Sequence, residues 1–282
     1  MIRRILIPLD PSPFSDSALN LACIFAKVYD VEVTGMVILD IPGIEDSIGP
    51  IPIGGIHLAE KLENEKKKEA KQRIETLLDK FKTKCSKEGV RYKVAERQGS
   101  PSAQILNESI YYDLLITGLR SYFHFETSEK YGRSLDTLLK ESVTPIYGVP
   151  EKIPFSDKPD RKIRVLIAFD GSPLAARAMQ RFSYLISPDL YEITMLNSSD
   201  NKEEGEIILS RAEEYLNSHK ITNIKKIWTN DNIIKVIKNE YYDSIDGFVV
   251  GAHSHDGLFD FLVGSLTKYL VKSAKKPVFI GQ

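Results

Sequence analysis

Short apolar runs, mostly β-branched, alternate along the chain with longer stretches whose apolar positions recur every three to four residues. Ile5–Leu9, Val31–Ile38, Tyr92–Ala95, Leu114–Thr117 and Pro145–Val149 are the strand-like runs of the first half. Between them, Ser15–Tyr29 places Ala18, Leu21, Ala22, Phe25 and Val28 on one face, and His57–Ser86, Ser102–Tyr111 and Gly132–Ser142 are helical stretches of the same kind. The second half gives the same series, with helices at Pro173–Leu185, Glu203–Ser218, Asn232–Tyr241 and Gly264–Ser273 and a last strand at Pro277–Ile280. Strands apolar throughout and alternating with helices predict a parallel sheet covered on both faces. Right-handed crossovers make such a sheet doubly wound. The expected fold class is α/β: two tandem doubly wound domains, each of five strands and four helices.

The duplication is visible in the residues themselves. Arg4-Ile-Leu-Ile-Pro-Leu-Asp10 recurs as Arg164-Val-Leu-Ile-Ala-Phe-Asp170, and Asp113-Leu-Leu-Ile-Thr-Gly118 as Asp246-Gly-Phe-Val-Val-Gly251. Thr144-Pro145-Ile-Tyr-Gly-Val recurs as Lys276-Pro277-Val-Phe-Ile-Gly. The offset is 160 at the aspartates and 133 at the glycines, so the second unit lacks 27 residues (160 − 133) in its middle. The surplus of the first unit follows Asp40, where Ile41–Ile56 carries four glycines and two Ile-Pro pairs. That composition predicts an irregular, mobile segment over the first unit's cleft. The polar, proline-punctuated stretch Pro150–Lys162 reads as a linker, giving domains 1–150 and 163–282. The two last strands are expected to pair with each other, since each would otherwise leave an apolar edge open.

Charge narrows the partners. Residues 1–150 carry 20 basic and 21 acidic side chains and residues 151–282 carry 18 of each, so neither half has the basic surplus of a nucleic-acid or anionic-membrane binder. No run approaches the ~20 apolar residues of a spanning helix. Pro8 and Asp10 break the N-terminal apolar patch too early for a signal peptide. Two cysteines, Cys23 and Cys85, cannot make a disulfide framework, which points to a reduced cytoplasmic setting.

In a doubly wound sheet, ligands bind beyond the strand carboxyl ends where strand order reverses. That selects Asp10-Pro-Ser-Pro and Asp170-Gly-Ser-Pro after the first strands, and Gly118-Leu-Arg-Ser121 and Gly251-Ala-His253-Ser254 after the fourth. Gly264-Ser265-Leu266-Thr267 then opens a helix, offering free N–H groups, two hydroxyls and the positive end of the helix dipole to an anion. The plainer reading is that Asp170 and Ser172 only cap the next helix and Gly264 only turns the chain. Neither a P-loop nor G-x-G-x-x-G after the first strand is present, and no Ser/His/Asp or Cys/His arrangement stands out. His253 and His255 lie in a loop without a cysteine partner, which is weak for a metal.

The aspartate after the first strand, the run Gly251-x-x-Ser254-x9-Gly264-Ser265-x-Thr267 and the closing Lys276-Pro277-Val-Phe-Ile resemble the universal stress protein family, twice over the whole chain. The family's late motif is G-x2-G-x9-G-[ST], and many members bind ATP with it. The resemblance implies Asp170 near the adenosine and Asn197 and Ser198 near the base. It implies Gly251, His253, Ser254, Gly264, Ser265, Leu266 and Thr267 around the ribose and phosphates. Ser254 departs from the motif's second glycine, and Asp256 and Asp260 add carboxylates that suit a phosphate site only facing away or sharing Mg2+. The equivalents in the first unit are Asp10, Gly118, Ser121, Gly132, Arg133 and Ser134, where the spacing is one residue longer and Arg133 and Leu135 replace the hydroxyls. Its loop carries Tyr122, Phe123, Phe125 and Tyr131, expected to pack against the other unit or to fill the vacant cleft.

Three functions follow as expectations. The first is a stress-response or regulatory protein binding ATP, with or without Mg2+, in its second domain without dedicated catalysis. The second is a scaffold acting through protein contacts, with no nucleotide. The third is a slow ATPase or phosphotransferase, for which Asp256, His253 and His255 are the groups on offer. The expected assembly is an intrachain pseudo-dimer, with a further homodimer left open.

Overall fold

The computed structural model describes residues 2–51, 54–121, 123, 133–155, 161–252 and 264–282, with side chains excluded at 133 and 134. The chain forms two compact units: an N-unit, Arg3–Ser142, and a C-unit, Val143–Gln282, which the extreme N-terminus joins.

In the N-unit, β1 (Arg4–Pro8), β2 (Glu32–Leu39), β3 (Tyr92–Gln98) and β4 (Leu114–Gly118) lie in the order β3-β2-β1-β4. The pairing is parallel, with Ile5 opposite both Val33 and Leu114. Ile5, Leu6, Ile7 and Leu114 are fully buried, as strands covered on both faces require. Ser12 caps α1 (Pro13–Tyr29) by accepting from Ser15 N–H, and Asp30 ends it at φ +50°. The other helices are α2 (Ile41–Ile48), α3 (Ile56–Glu88), α4 (Pro101–Ser109) and α5 (Arg133–Glu141). The inward stripe of α3 is Ala70, Ile74, Leu78, Phe81 and Cys85, spaced three to four residues apart, and Phe81 packs where a side chain at Gly35 would stand, within 2.8 Å.

The helix Ile41–Ile48 overturns the expectation of an irregular segment over its first half, while residues 49–51 and 54–55 are irregular and 52 and 53 lie outside the described residues. Pro42 stands in the first turn, where a missing N–H costs nothing. Asp40, 4% exposed, accepts from Gly43 N–H at 3.1 Å as the cap, and a Cβ on Gly43 would come within 2.2 Å of that carboxylate. The glycine read as a breaker is what lets the cap close.

The C-unit has the order β5-β10-β9-β6-β7-β8, built from β5 (Ile146–Val149), β6 (Ile163–Ala168), β7 (Tyr191–Ser198), β8 (Ile224–Thr229), β9 (Gly247–Gly251) and β10 (Val278–Gly281). All described pairs here are parallel except β5 with β10, where Val278, Phe279 and Ile280 face Gly148, Tyr147 and Ile146. This is the expected pairing of the two last strands. Phe279 anchors it, 5.9 Å from the Tyr147 ring and 5.3 Å from Phe182. The helices are α6 (Pro173–Leu185), α7 (Lys202–Ser218), α8 (Ile233–Val236, running into a π-helical turn at Ile237–Tyr241) and α9 (Ser265–Ser273). Of the expected linker, residues 156–160 lie outside the described residues, while Ile153 and Phe155 are buried.

One device recurs at the start of each fourth strand. Asp113 accepts from the N–H groups of Arg3 and Arg4 at 2.7 and 2.9 Å. Asp246 accepts from Arg164 N–H at 2.9 Å and from both guanidinium ends of Arg161 at 2.6 and 2.7 Å. Each carboxylate ties the start of the first strand to its neighbour. Among the described residues no helix is long and apolar enough to cross a membrane.

Candidate functional site

In the C-unit, strand order reverses between β6 and β9, and a cleft of about 190 Å³ opens at their carboxyl ends. Asp170 follows β6 and is exposed. One of its oxygens accepts from Ser172 N–H at 2.9 Å across Gly171, which is held at φ +81° and so needs a glycine. Ser172 in turn caps α6, accepting from Ala175 N–H at 3.2 Å. The capping role expected of this pair is therefore real, and Asp170 still lines the cleft.

Gly251 ends β9 where α6 crosses closest. A Cβ there would stand 3.0 Å from the Leu174 carbonyl carbon and 3.2 Å from Ala175 N. The glycine thus serves helix–sheet packing. Opposite, α9 begins at Gly264, whose φ −54° and ψ 151° are open to any residue, and no side chain among the described residues caps the helix. Its first N–H groups, at Ser265, Leu266 and Thr267, precede the first intrahelical bond, from Lys268 N–H to Gly264 O at 2.9 Å. Ser265 is exposed, whereas Thr267 is 3% exposed and donates its hydroxyl to Gly251 O at 2.9 Å, fixing the helix start to the strand end.

Ser198, at the end of β7, lines the cleft and donates to Asp231 O at 2.8 Å. Asn197 lies beneath it rather than in it. It is 1% exposed, its amide N–H donates to Phe169 O at 2.9 Å, and its Oδ1 accepts from Ser199 at 2.7 Å. Ser199 also accepts from the Trp228 indole N–H at 3.1 Å. Among the described lining residues the one charged side chain is Asp170. Among the described lining residues, the group that favours an anion is the start of α9 with its dipole.

The N-unit equivalents differ. Asp10 is 1% exposed and folded inward, accepting from the Ser12 N–H at 2.9 Å and from the Ser12 hydroxyl. A Cβ on Gly118 would meet Phe14 Cβ at 2.4 Å, tighter than at Gly251. Ser121 is 7% exposed, with no partner for its hydroxyl among the described residues. Leu135, which stands where the C-unit has Thr267, is buried in the core. Phe123 is buried. Gly132 and the other loop aromatics lie outside the described residues, as do the side chains of Arg133 and Ser134 and, in the C-unit, His253, Ser254, His255, Asp256 and Asp260.

The sequence model of the universal stress protein family matches residues 1–146, just over half the chain. The chain belongs to this family. A universal stress protein from Archaeoglobus fulgidus DSM 4304 aligns over 99% of this chain and 98% of its own, at 19% identity and a TM-score of 0.73. The cytoplasmic domain of a prokaryotic cation chloride cotransporter aligns over 99% and 95%, at 11% identity and a TM-score of 0.58. A universal stress protein family structure from Arabidopsis thaliana with AMP bound covers 52% of this chain and 90% of its own, at 15% identity and a TM-score of 0.35. No curated protein matches the sequence significantly.

Of the C-unit positions singled out from the sequence of this universal stress protein, Asp170, Ser198, Gly251, Gly264, Ser265, Leu266 and Thr267 surround one cleft. The reading missed the apolar walls, formed by Phe169, Leu196, Ile233 and Val250. Three of these are strand-end residues, which the rule of carboxyl ends could have flagged. Ile233 comes from the start of α8, and its approach is tertiary.

Proposed function

We propose that this universal stress protein is a tandem member, with domains 1–150 and 163–282, whose second domain binds an adenine nucleotide in the C-unit cleft. The ligand is ATP, with or without Mg2+, and the role is regulatory, in a cytoplasmic stress response, without dedicated catalysis. One observation carries the reading: apolar side chains and the start of α9, which no described side chain caps, line one cleft at the carboxyl ends of β6 and β9. The walls offer a flat apolar base a dry surface, and the helix start offers phosphate three N–H donors. Asp170 stands where a ribose hydroxyl could donate to it. Buried, reduced Cys23 and Cys85 fit the cytoplasmic setting.

Mass spectrometry of small molecules released on denaturing the purified protein tests this. Adenine nucleotide at close to one per chain supports it. A protein that is ligand-free as purified and silent in ATP titration acts instead as a scaffold. Turnover well above the uncatalysed rate would make it an enzyme.

A further inference from the structure

The chain has two cysteines, 62 positions apart in sequence, and the fold of the N-unit brings them together. Cys23 sits on the inward stripe of α1 beside Ala22 and Ala26, and Cys85 ends the inward stripe of α3 after Leu78 and Phe81. They are 2% and 0% exposed, and ion pairs join the same two helices on either side of them, Asp16 with Lys80 at 2.6 Å and Lys27 with Glu88. A clamp stands beside them: Glu88, in the last turn of α3, takes Lys27 of α1 and, at 2.9 Å, Lys84 of α3. Two buried thiols on inward faces, held at one level of a helix–helix interface by ion pairs above and below, are placed to meet.

We propose that Cys23 and Cys85 are a redox site, closing to an intramolecular disulfide when the protein meets a hydroperoxide and reopening with a dithiol reductant. The site is separate from the nucleotide cleft and does not depend on it. Cys23 is the attacking sulfur. The neighbouring Cys85 thiol holds the Cys23 thiol below its usual range against the opposing effect of burial, with Lys84 and Lys27 favouring the thiolate and Glu88 opposing it. Cys85 is pushed the other way by its Cys23 neighbour and by burial, so it keeps its proton. The Cys23 thiolate attacks one peroxide oxygen, the O–O bond breaks, and hydroxide leaves and takes up a proton, giving a sulfenic acid. The Cys85 sulfur, losing its proton, then attacks the Cys23 sulfur. The S–O bond breaks, and the departing hydroxide leaves as water with that proton. The two sulfurs give up two electrons and the two peroxide oxygens accept them, so two thiols and one hydrogen peroxide yield one disulfide and two waters.

Burial sets the character of the site. A bulky alkylating reagent reaches neither sulfur until α1 and α3 part, and hydrogen peroxide, slightly larger than water, meets only the 2% exposed Cys23 while Cys85 is closed to it. The bond closes a loop holding β2, α2 and most of α3, which restricts the unfolded chain and raises the melting temperature by roughly 5–10 °C.

The test uses the full-length protein, reduced, desalted and treated with hydrogen peroxide. The expected result is a monomer lighter by two hydrogens, with denatured free thiols falling from two to none, one cross-linked peptide joining Cys23 to Cys85, and a higher melting temperature reversed by dithiothreitol. Cys23→Ala and Cys85→Ala, small apolar replacements suited to a buried site, should each abolish the mass loss and the melting shift. The proposal is overturned if the folded wild type keeps both thiols under peroxide that oxidises the urea-unfolded chain. It is equally overturned if added oxygens or intermolecular dimers appear in place of the mass loss.

Discussion

Replacing Ser265 with proline removes one N–H from the start of α9 while leaving the helix intact. Ser265 is the first helical residue, so its N–H has no partner inside the helix. A proline there needs φ near −65° and an extended residue before it, and Gly264 already stands at φ −54° and ψ 151°. The first intrahelical bond, Lys268 N–H to Gly264 O, is untouched. Folding stability should therefore change by less than about 1 kcal/mol. Binding should change more. A hydrogen bond to a charged group contributes about 1.5–3 kcal/mol, which is about 10- to 150-fold in Kd. Ser265→Ala, which keeps the N–H and loses only the hydroxyl, should weaken binding less. The assay is calorimetric titration of ATP into wild type and both variants, with melting temperatures recorded in parallel. A Ser265→Pro protein that melts like wild type and binds ATP equally well would refute the assignment of phosphate to the start of α9.

The remaining predictions concern the scaffold around the cleft. Trp228, the chain's single tryptophan, is joined through Ser199 to Asn197 beneath the cleft, so ATP should change its emission, and Trp228→Phe should remove the signal while leaving calorimetric affinity within a few-fold. Gly118→Ala should destabilise the protein by roughly 1–3 kcal/mol, because its Cβ would stand 2.4 Å from Phe14 Cβ. Gly251→Ala, with contacts of 3.0–3.2 Å, should cost less in denaturant melts. Burial pushes the Asp246 carboxyl up, but the hydrogen bonds from Arg161 and Arg164 outweigh it and hold it below the usual carboxylate range. That stabilisation is complete above an unfolded value of about 3.9 and is lost as pH falls below it. Asp246→Asn, which removes charge-assisted hydrogen bonds from Arg161 and Arg164, should cost about 1–3 kcal/mol at neutral pH and flatten the acid limb of stability against pH.

What could be read beforehand divides along the distance over which each feature is determined. β1, β6 and α6 were visible because their patterns are local: unbroken β-branched runs, and a Ser-Pro start with apolar residues every three to four positions. Repetition of the patterns added the topology, since two strand–helix series ending in Thr144-Pro145 and Lys276-Pro277 leave two last strands to pair. α2 was hidden because Pro42 and Gly43 count as breakers unless the Asp40 cap is seen to close over a residue with no Cβ. Asn197 was placed near a base only by the family resemblance. Its amide is taken by Phe169, 28 residues earlier, and by Ser199, itself tied to Trp228, and no local pattern carries those distances. The meeting of Cys23 and Cys85 is of the same kind, set by where two helices cross.

The most direct test of the nucleotide site is a crystal structure of the full chain grown with ATP at saturating concentration. One nucleotide should be present, with phosphate oxygens within hydrogen-bond distance of the N–H groups of Ser265, Leu266 and Thr267 and the base against Phe169 and Ile233. Nucleotide seated instead at the start of α5, equal occupancy of both units, or an empty C-unit cleft would contradict the account.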